Sequence, residues 1–287
     1  MQHAMREAFI MAPDTSNAIT AAESSVGRII AITNQKGGVG KTTTAVNLSA
    51  GLAACGRRVL LIDLDPQANA TTGSGVDKSA LELTSCEVLL GETRAMDAIL
   101  PIEQGGYALL PANPDLTAAE VRLLQEIGRE MKLRNALEPV ISMYDYVFID
   151  CPPSINMLTL NALTAAHGVL IPIQCEYYAL EGLSSLLETV RQIRNSVNPK
   201  IEIEGLLRTM YDPRNNLANE VSAQLLKHFN NKVYDTVIPR NVRLAEAPSY
   251  GVPVTIHDPG SKGSEAYMNL AREIIARELP IAAAGAA

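Results

Sequence analysis

The segment from Arg28 to Gly56 constrains the fold more than any other part of the sequence. The apolar stretch RIIAIT runs directly into NQKGGVGKTTT, which continues into an amphipathic stretch ending in AGLAACG. A strand, a glycine-rich loop and a helix in this order are typical of a phosphate-binding site at the edge of a parallel sheet. The loop almost matches G-x-x-x-x-G-K-[ST], but Gln35 replaces the first glycine and Lys36 follows it. The segment therefore predicts a phosphate site that carries a second lysine.

The glycines of this loop let backbone N–H groups approach phosphate oxygens without a side chain between them. The helix that begins near Lys41 adds the positive end of its dipole, and the Lys41 ammonium is expected to contact the β- and γ-phosphates. The Thr42 hydroxyl is expected to bind Mg²⁺. The predicted nucleotide-binding residues of the loop are Gly37, Gly38, Val39, Gly40, Lys41, Thr42 and Thr43.

Three aspartates follow two further apolar stretches. YVFID ends in Asp150, where a carboxylate is expected to hold Mg²⁺ through water. RVLLID ends in Asp63, and Asp65 follows two positions later, after the chain has left the sheet. There Asp65 can face the γ-phosphate and orient a water for in-line attack, whereas Asp63 is assigned to support of the loop. The sequence thus predicts Thr42 and Asp150 as metal ligands, and Lys41 and Asp65 as catalytic residues.

Short apolar runs alternate with longer amphipathic stretches along the chain. The predicted strands are RIIAIT, RVLLID, YALLPA, YVFIDC, GVLIPI, IEIEGLLRTM and VYDTVIP. The predicted helices are KTTTAVNLSAGLAACG, LEGLSSLLETVRQIRNSV, NLANEVSAQLLKHF and SEAYMNLAREIIAREL. Strands that are apolar throughout are expected where helices cover both faces of a parallel sheet. The pattern predicts an α/β fold, with a single doubly wound, mostly parallel sheet flanked by helices.

This predicted domain spans residues 28–279. A flexible N-terminal extension, residues 1–27, is expected before it, and a C-terminal tail, residues 280–287, after it. Both ends are rich in small or polar residues and have weak periodicity. The predicted organisation is therefore one domain with two short tails.

The composition and net charge argue against several other classes of protein. Of the 287 residues, 47% are hydrophobic and 19% are charged, which is typical of a globular protein rather than a disordered one. No run reaches the roughly 18 to 20 apolar residues of a membrane-spanning helix, and no signal peptide is evident, so a cytoplasmic protein is expected. The net charge of −7 argues against a surface that is basic throughout. The four cysteines lack C-x-x-C spacing, which favours reduced thiols.

Five segments carry a family resemblance: KGGVGKTT, LLIDLDPQANAT, FIDCPPS, TMYDPRNNL and IPRNVRLAEAPSYGVPV. Together they resemble the ParA/Soj family of chromosome and plasmid partition ATPases. This family belongs to the deviant Walker A class, which also includes MinD. The resemblance extends from about Arg28 to Leu279. The first segment is common to the whole class, whereas the last two are much more specific to the ParA branch.

The resemblance offers a reason for the second lysine. In this class, the lysine at the position of Lys36 reaches across a dimer interface to the ATP of the other subunit. Lys36 is therefore expected to be both a nucleotide-binding and a catalytic residue. A long ammonium side chain can neutralise phosphate charge on a neighbouring subunit, which a glycine cannot. The resemblance also implies that the adenine lies near Met210 and Pro239, in the segments TMYD and IPRN.

A DNA-binding surface is also implied by the resemblance. In ParA-like proteins, arginines at the positions of Arg214 and Arg243 bind DNA phosphates without sequence preference. Arg240 precedes Arg243 by three residues, so the two are expected to share one face of a helical turn. Arg240 and Lys262 are predicted as additional contacts. A dimer would join two such patches, which raises both the affinity for DNA and its dependence on salt.

These expectations combine into an ATP-switched homodimer that binds the nucleoid and uses ATP and Mg²⁺ as cofactors. Hydrolysis to ADP and phosphate is expected to be slow, because no arginine finger is evident in cis. By resemblance, a ParB-like centromere-binding partner stimulates hydrolysis and so releases DNA.

The same fold also serves MinD-like membrane ATPases, iron–sulfur carriers, metabolic ligases and ATPases that position other cargo. The closing PIAAAGAA lacks the basic amphipathic helix of a membrane ATPase, and the paired cysteines of an iron–sulfur carrier are absent. No group of residues indicates the second substrate pocket of a ligase. The sequence does not distinguish DNA from another cargo.

Overall fold

The computed structural model describes residues 27–278. Its strands are β1 (Arg28–Ile32), β2 (Val59–Asp63), β3 (Leu100–Ile102), β4 (Tyr107–Leu110), β5 (Tyr146–Asp150), β6 (Gly168–Gln174), β7 (Glu202–Tyr211) and β8 (Val233–Pro239). Its α-helices are α1 (Lys41–Ala54), α2 (Asn69–Gly73), α3 (Ser85–Leu90), α4 (Ala95–Ala98), α5 (Leu116–Leu123), α6 (Lys132–Leu137), α7 (Met157–Ala165), α8 (Ala179–Ser196), α9 (Asn216–Phe229), α10 (Val242–Glu246), α11 (Val254–His257) and α12 (Lys262–Glu278). Short 3₁₀ turns cover Arg129–Met131, Ile141–Met143, Asn230–Lys232 and Ala247–Tyr250.

The strands form one sheet in the order β3-β4-β2-β5-β1-β6-β7-β8. Every neighbouring pair is parallel except β3 and β4, which are antiparallel. The seven strands predicted from the sequence are all present, and the predicted α/β fold class is confirmed. Strand β3 was not predicted, because it consists of only three residues at the sheet edge and contains Pro101.

Helices cover both faces of the sheet, which explains why the central strands are apolar throughout. Every residue of β2 and of β5 is buried. In β1 the side chains alternate between the two faces: Ile29 and Ala31 belong to one apolar core, and Ile30 and Ile32 belong to the other. Hydrophobic burial on both faces therefore holds β1 at the centre of the domain.

Strand β1 pairs with β5 on one side and with β6 on the other, so the loops that follow these strands emerge at the same edge of the sheet. In addition, β2 and β5 are in register such that Asp63 lies opposite Asp150. Ligands of open parallel sheets bind at this edge, beyond the carboxyl ends of the strands. The topology thus brings the predicted phosphate loop and the two aspartates together.

The four predicted helices are also present, as α1, α8, α9 and α12. The predicted tails, residues 1–27 and 280–287, lie outside the described residues apart from Gly27, and the domain limits stay a prediction. Among residues 27–278, no helix has the length and apolar character needed to cross a bilayer.

Candidate nucleotide-binding site

The loop between β1 and α1 has a backbone that depends on glycine. Gly38 and Gly40 have φ angles of 73° and 89°, in the left-handed region that favours glycine. A Cβ at Gly38 would meet no atom within 4 Å, so conformation rather than space requires glycine there. The loop is fixed to the sheet by two side chains. Thr209 Oγ1 donates to the Val39 carbonyl at 2.8 Å, and Asn34 Nδ2 donates to the Pro172 carbonyl at 2.8 Å.

Helix α1 begins directly at the loop. Its N-cap residue, Gly40, has no side chain that could accept from the first-turn N–H groups, so these donors remain for an anion. The Lys41 side chain is buried, and its Nζ donates to the Lys36 carbonyl at 3.3 Å. Burial lowers the pKa of Lys41, whereas the negative charges of Asp150 and Asp65 raise it.

A cleft of about 550 Å³ opens in front of this loop. The residues that line it are Gly37, Gly38, Gly40, Lys41, Thr42, Thr43, Asp65, Pro66, Gln67, Asn69, Glu120, Pro152, Pro153, Ser154, Asn156 and Met210. The structure therefore brings most of the predicted loop residues together with Asp65. Val39 and Asp150 are buried and do not line the cleft. Lys36 does not line it either: its backbone carbonyl accepts from Lys41 Nζ, and its side chain extends to Glu176.

Two residues of the cleft wall, Glu120 and Asn156, lie outside the motifs identified in the sequence. Glu120 lies on α5, far from the motifs in sequence, and it accepts a hydrogen bond from Asn156 Nδ2 at 3.0 Å. Asn156 also caps α7 through its Oδ1. An asparagine before an apolar run is an N-cap signal that could have located this helix start.

Asp63 is a fully buried carboxylate whose oxygens are satisfied. Its Oδ2 accepts from the Thr71 amide and from the Thr71 hydroxyl, both at 2.8 Å, and its Oδ1 accepts from the Asp65 amide at 3.1 Å. Burial raises the pKa of Asp63 to about 6, although the Thr71 hydrogen bonds act in the opposite direction. Asp63 thus fixes the chain that leads from β2 to α2. Asp65, which is almost fully buried, accepts from the Gln67 amide at 2.9 Å.

Asp150 is equally buried but not satisfied, because neither carboxylate oxygen has a hydrogen-bond partner in the structure. Burial raises the pKa of Asp150 well above its usual value, and the adjacent Asp63 charge raises it further. The nearby Thr42 hydroxyl and Lys41 ammonium act in the opposite direction. Burial of a carboxylate without a hydrogen bond is costly, and a bound cation would offset that cost.

The residues around Asp150 fit Mg²⁺. Asp150 supplies two unpartnered oxygens, Thr42 a hydroxyl and Asp65 a further carboxylate, all hard oxygen donors. No group of three or more His, Cys, Asp or Glu residues within residues 27–278 forms a metal cage. Mg²⁺ bound with a nucleotide needs none, since phosphates and water complete its octahedral shell.

The two adenine candidates meet in a second cavity. This cavity has a volume of about 190 Å³ and adjoins the phosphate loop through Gly40 and Thr43. Met210 and Pro239 both line it. Met210 also lines the larger cleft and has a left-handed backbone, with φ of 49°, which is unusual for a residue with a side chain.

Arg214 and Arg243, the two arginines at positions that the resemblance assigns to DNA contact, are exposed, and each forms an ion pair. Both Nε and Nη2 of Arg214 donate to the Asp212 carboxylate, at 2.9 and 2.8 Å. Arg243 pairs with Glu246 at 2.7 Å and with Asp258 at 3.1 Å. The charge of each arginine is therefore balanced locally in this structure.

The expectation that Arg240 and Arg243 share a helical turn is wrong. Helix α10 begins at Val242, because the Asn241 side chain caps it by accepting from the Arg243 and Leu244 amides. Arg240 therefore lies before the helix, where it is exposed and lines the smaller cavity. Lys262 is exposed at the start of α12.

Fold and site together define a class: an α/β nucleotide-binding protein with a phosphate loop of the deviant Walker A type. Comparison with known proteins narrows this class. A family model described as an AAA domain matches residues 27–203. The chain is 53% identical over 253 residues to the chromosome partitioning protein ParA of Caulobacter vibrioides, covering 88% of this chain and 95% of that protein. It is 53% identical over 251 residues to the sporulation initiation inhibitor protein Soj of Bacillus subtilis, covering 88% and 99%.

The chain therefore belongs to the ParA/Soj family of partitioning ATPases. Among solved structures, a cobyrinic acid a,c-diamide synthase from Mycobacterium smegmatis, with a bound ATP analogue and magnesium, is similar. It has a TM-score of 0.77 and 39% sequence identity, and the match covers 88% of this chain and 96% of that chain. That protein was solved with the ATP analogue and magnesium bound together.

Proposed function

We propose that this chain is an ATP-dependent DNA-segregation protein whose ATP-bound form is a homodimer. One observation carries the proposal: the Lys36 backbone lies at the phosphate loop, while its side chain points out of its own cleft. A lysine in this position is poorly placed for the nucleotide of its own subunit, but it is exposed to a second copy. Residues 28–279 would form the ATPase domain.

Within each subunit, the proposed roles follow from the geometry of the cleft. Lys41 and the N–H groups at the start of α1 would bind the phosphates, and Asp65 would orient the attacking water. Bound Mg²⁺, held by Thr42 and Asp150, would neutralise phosphate charge. No arginine lines the cleft among the described residues, which supports slow intrinsic hydrolysis. Met210 and Pro239 would contact the adenine.

DNA would bind to the surface that carries Arg214, Arg240, Arg243 and Lys262. Dimerisation would present two copies of this surface, and counterion release from more phosphates would raise the affinity. A ParB-like centromere-binding partner would stimulate hydrolysis and release the DNA. Family membership supports this cycle, since relatives at 53% identity are named as partitioning proteins.

DNA retention with Mg²⁺ and either ATPγS, ADP or no nucleotide tests the proposal. We expect retention only with ATPγS, loss of retention in Lys36→Ala, and about tenfold weaker binding when both Arg214 and Arg243 are replaced by Ala. Arg94→Ala is a matched control, because Arg94 is also exposed and paired with an acid three residues away, but lies near the opposite sheet edge.

Two results would contradict this function. Retention that does not depend on nucleotide would remove the proposed switch. Unchanged dimerisation of Lys36→Ala in sedimentation velocity would remove the role of Lys36 between subunits. A parallel arm with the candidate ParB-like partner distinguishes DNA segregation from the positioning of another cargo, since only the former requires a centromere-bound partner.

A further inference from the structure

The loop that precedes α1 is attached both to α8 and to the connection that leads into α8 from β6. Because β1 and β6 are neighbours in the sheet, the loops that follow them lie side by side. Gln35 Nε2 donates to Ser185 Oγ on α8 at 3.3 Å. Lys36 Nζ donates to Glu176 Oε2 at 2.5 Å, across 140 residues of sequence. The Gln35 and Lys36 side chains are thus both held by the segment that comprises α8 and the connection before it.

The Lys36–Glu176 ion pair lies at the surface. The Lys36 side chain is 43% exposed and that of Glu176 is 47% exposed. Tyr177 and Tyr178, which follow Glu176, are also exposed. Their rings form an edge-to-face contact with ring centroids 5.1 Å apart. The segment Cys175–Tyr178 joins β6 to α8, so Glu176 belongs to a loop rather than to a rigid element. This pair can therefore break without disturbing the core.

We propose that Glu176 is a positioning residue that holds Lys36 within its own subunit and competes with the partner subunit's nucleotide for it. The inference rests on the proposed function, because it concerns the lysine that would act between subunits. A carboxylate paired with Lys36 neutralises its charge in the single subunit. That pair must break before the ammonium can reach a second nucleotide, so Glu176 weakens dimerisation.

The expected size of the effect follows from the exposure of the pair. Exposed ion pairs contribute up to about 1 kcal/mol, which corresponds to about fivefold in an equilibrium constant. A dimer breaks two such pairs. Removing the Glu176 charge should therefore tighten ATP-dependent dimerisation by up to about 25-fold. The effect should shrink at high salt, which screens exposed charges.

Sedimentation velocity of the full chain with Mg²⁺ and ATPγS tests this inference. Glu176→Gln keeps the size of the side chain and removes its charge. Glu181→Gln is the matched control, since Glu181 is exposed in the first turn of α8 and undergoes the same change in charge. We expect Glu176→Gln to dimerise at lower concentration than wild type, with an advantage that decreases between low and high NaCl. Glu181→Gln should match wild type.

The outcomes separate this inference from the proposed function. If wild type dimerises but Glu176→Gln dimerises no more tightly than Glu181→Gln, the competition is refuted while the dimer stands. If Glu176→Gln tightens the binding of ATPγS to single subunits instead, Lys36 acts on its own nucleotide, and the inference also fails. If no variant dimerises with ATPγS, the proposed function itself fails. Melting temperatures check that each variant is folded.

Discussion

The ends of β2 and β5 carry the same residue type in opposite states. Asp63 and Asp150 lie opposite each other in the sheet, and both are fully buried. Asp63 accepts three hydrogen bonds from the chain that follows it, whereas neither oxygen of Asp150 has a hydrogen-bond partner within residues 27–278. Burial alone therefore does not define the role of a carboxylate at this edge of the sheet. A satisfied carboxylate maintains the fold, and an unsatisfied one beside a phosphate loop is available to a cation.

The largest expected effect is on hydrolysis. Asp150→Ala should lower Mg²⁺-dependent ATP hydrolysis by about 10²- to 10³-fold, because the site loses the carboxylate with unpartnered oxygens. Phosphate release in the presence of excess Mg²⁺ measures this. The side chain is removed without touching the Asp63 network, so the melting temperature should not fall in parallel. Wild-type hydrolysis in Asp150→Ala would show that Asp150 does not serve the cation.

The next largest effect is on the free energy of unfolding. It tests whether the hydrogen bonds of Asp63 stabilise the fold. The Thr71 hydroxyl donates to Asp63 and accepts from the Ala112 amide at 2.9 Å. Thr71→Val should lower the free energy of unfolding by about 2 to 3 kcal/mol, since two buried hydrogen bonds are lost. Thr164→Val is the matched control, because the buried Thr164 hydroxyl has no partner in the structure. Urea denaturation should find the control neutral or stabilising, and equal losses in both variants would contradict the argument.

A smaller effect concerns pH and the nucleotide-free protein. Burial raises the pKa of Asp63 to about 6 and that of Asp150 well above its usual value. A raised folded-state pKa gives stability that is complete below the unfolded pKa of about 4 and is lost as pH rises through the folded pKa. Stability contributed by these groups should therefore decline from about pH 4 through pH 6 and beyond.

Asp150→Asn should reduce this decline, because it removes one of the two buried charges. Its advantage in unfolding free energy over wild type should grow as the pH rises from 5 to 8, in EDTA without nucleotide. Using the difference between the two proteins cancels the other titrating groups. An advantage that stays constant with pH would mean that the pKa of Asp150 is not raised in the folded protein.

How far the sequence predicts this site depends on the range of the interactions involved. Apolar runs located β2 and β5, and their ends located Asp63 and Asp150, because strand ends are a local property. The difference between the two acids was not predictable in the same way. It depends on where the Thr71 amide and hydroxyl lie after the chain turns into α2.

Contacts between residues far apart in the sequence are harder still to predict. The Lys36–Glu176 pair joins residues 140 positions apart, and no sequence pattern links them.

The wrong prediction at Arg240 has a different origin. A spacing of three residues favours one helical turn, but Asn241 between the two arginines is a strong N-cap residue and starts the helix after Arg240. The N-cap residue therefore predicts the helix start better than the spacing does.

The smallest predicted effect concerns an ion pair at the surface, in which an aspartate neutralises a predicted DNA-binding arginine. Asp212 holds the Arg214 guanidinium in a two-point ion pair, which lowers the pKa of Asp212 to about 2. Asp212→Asn should free this charge and raise the affinity for non-specific DNA by about two- to fivefold at low salt, with ATPγS present. Asp97→Asn is the matched control, because it frees Arg94 near the opposite sheet edge with the same change in net charge. Fluorescence anisotropy with labelled duplex DNA measures both. Equal gains would indicate a general effect of net charge, and a gain confined to Asp212→Asn would assign the DNA surface to the Arg214 loop.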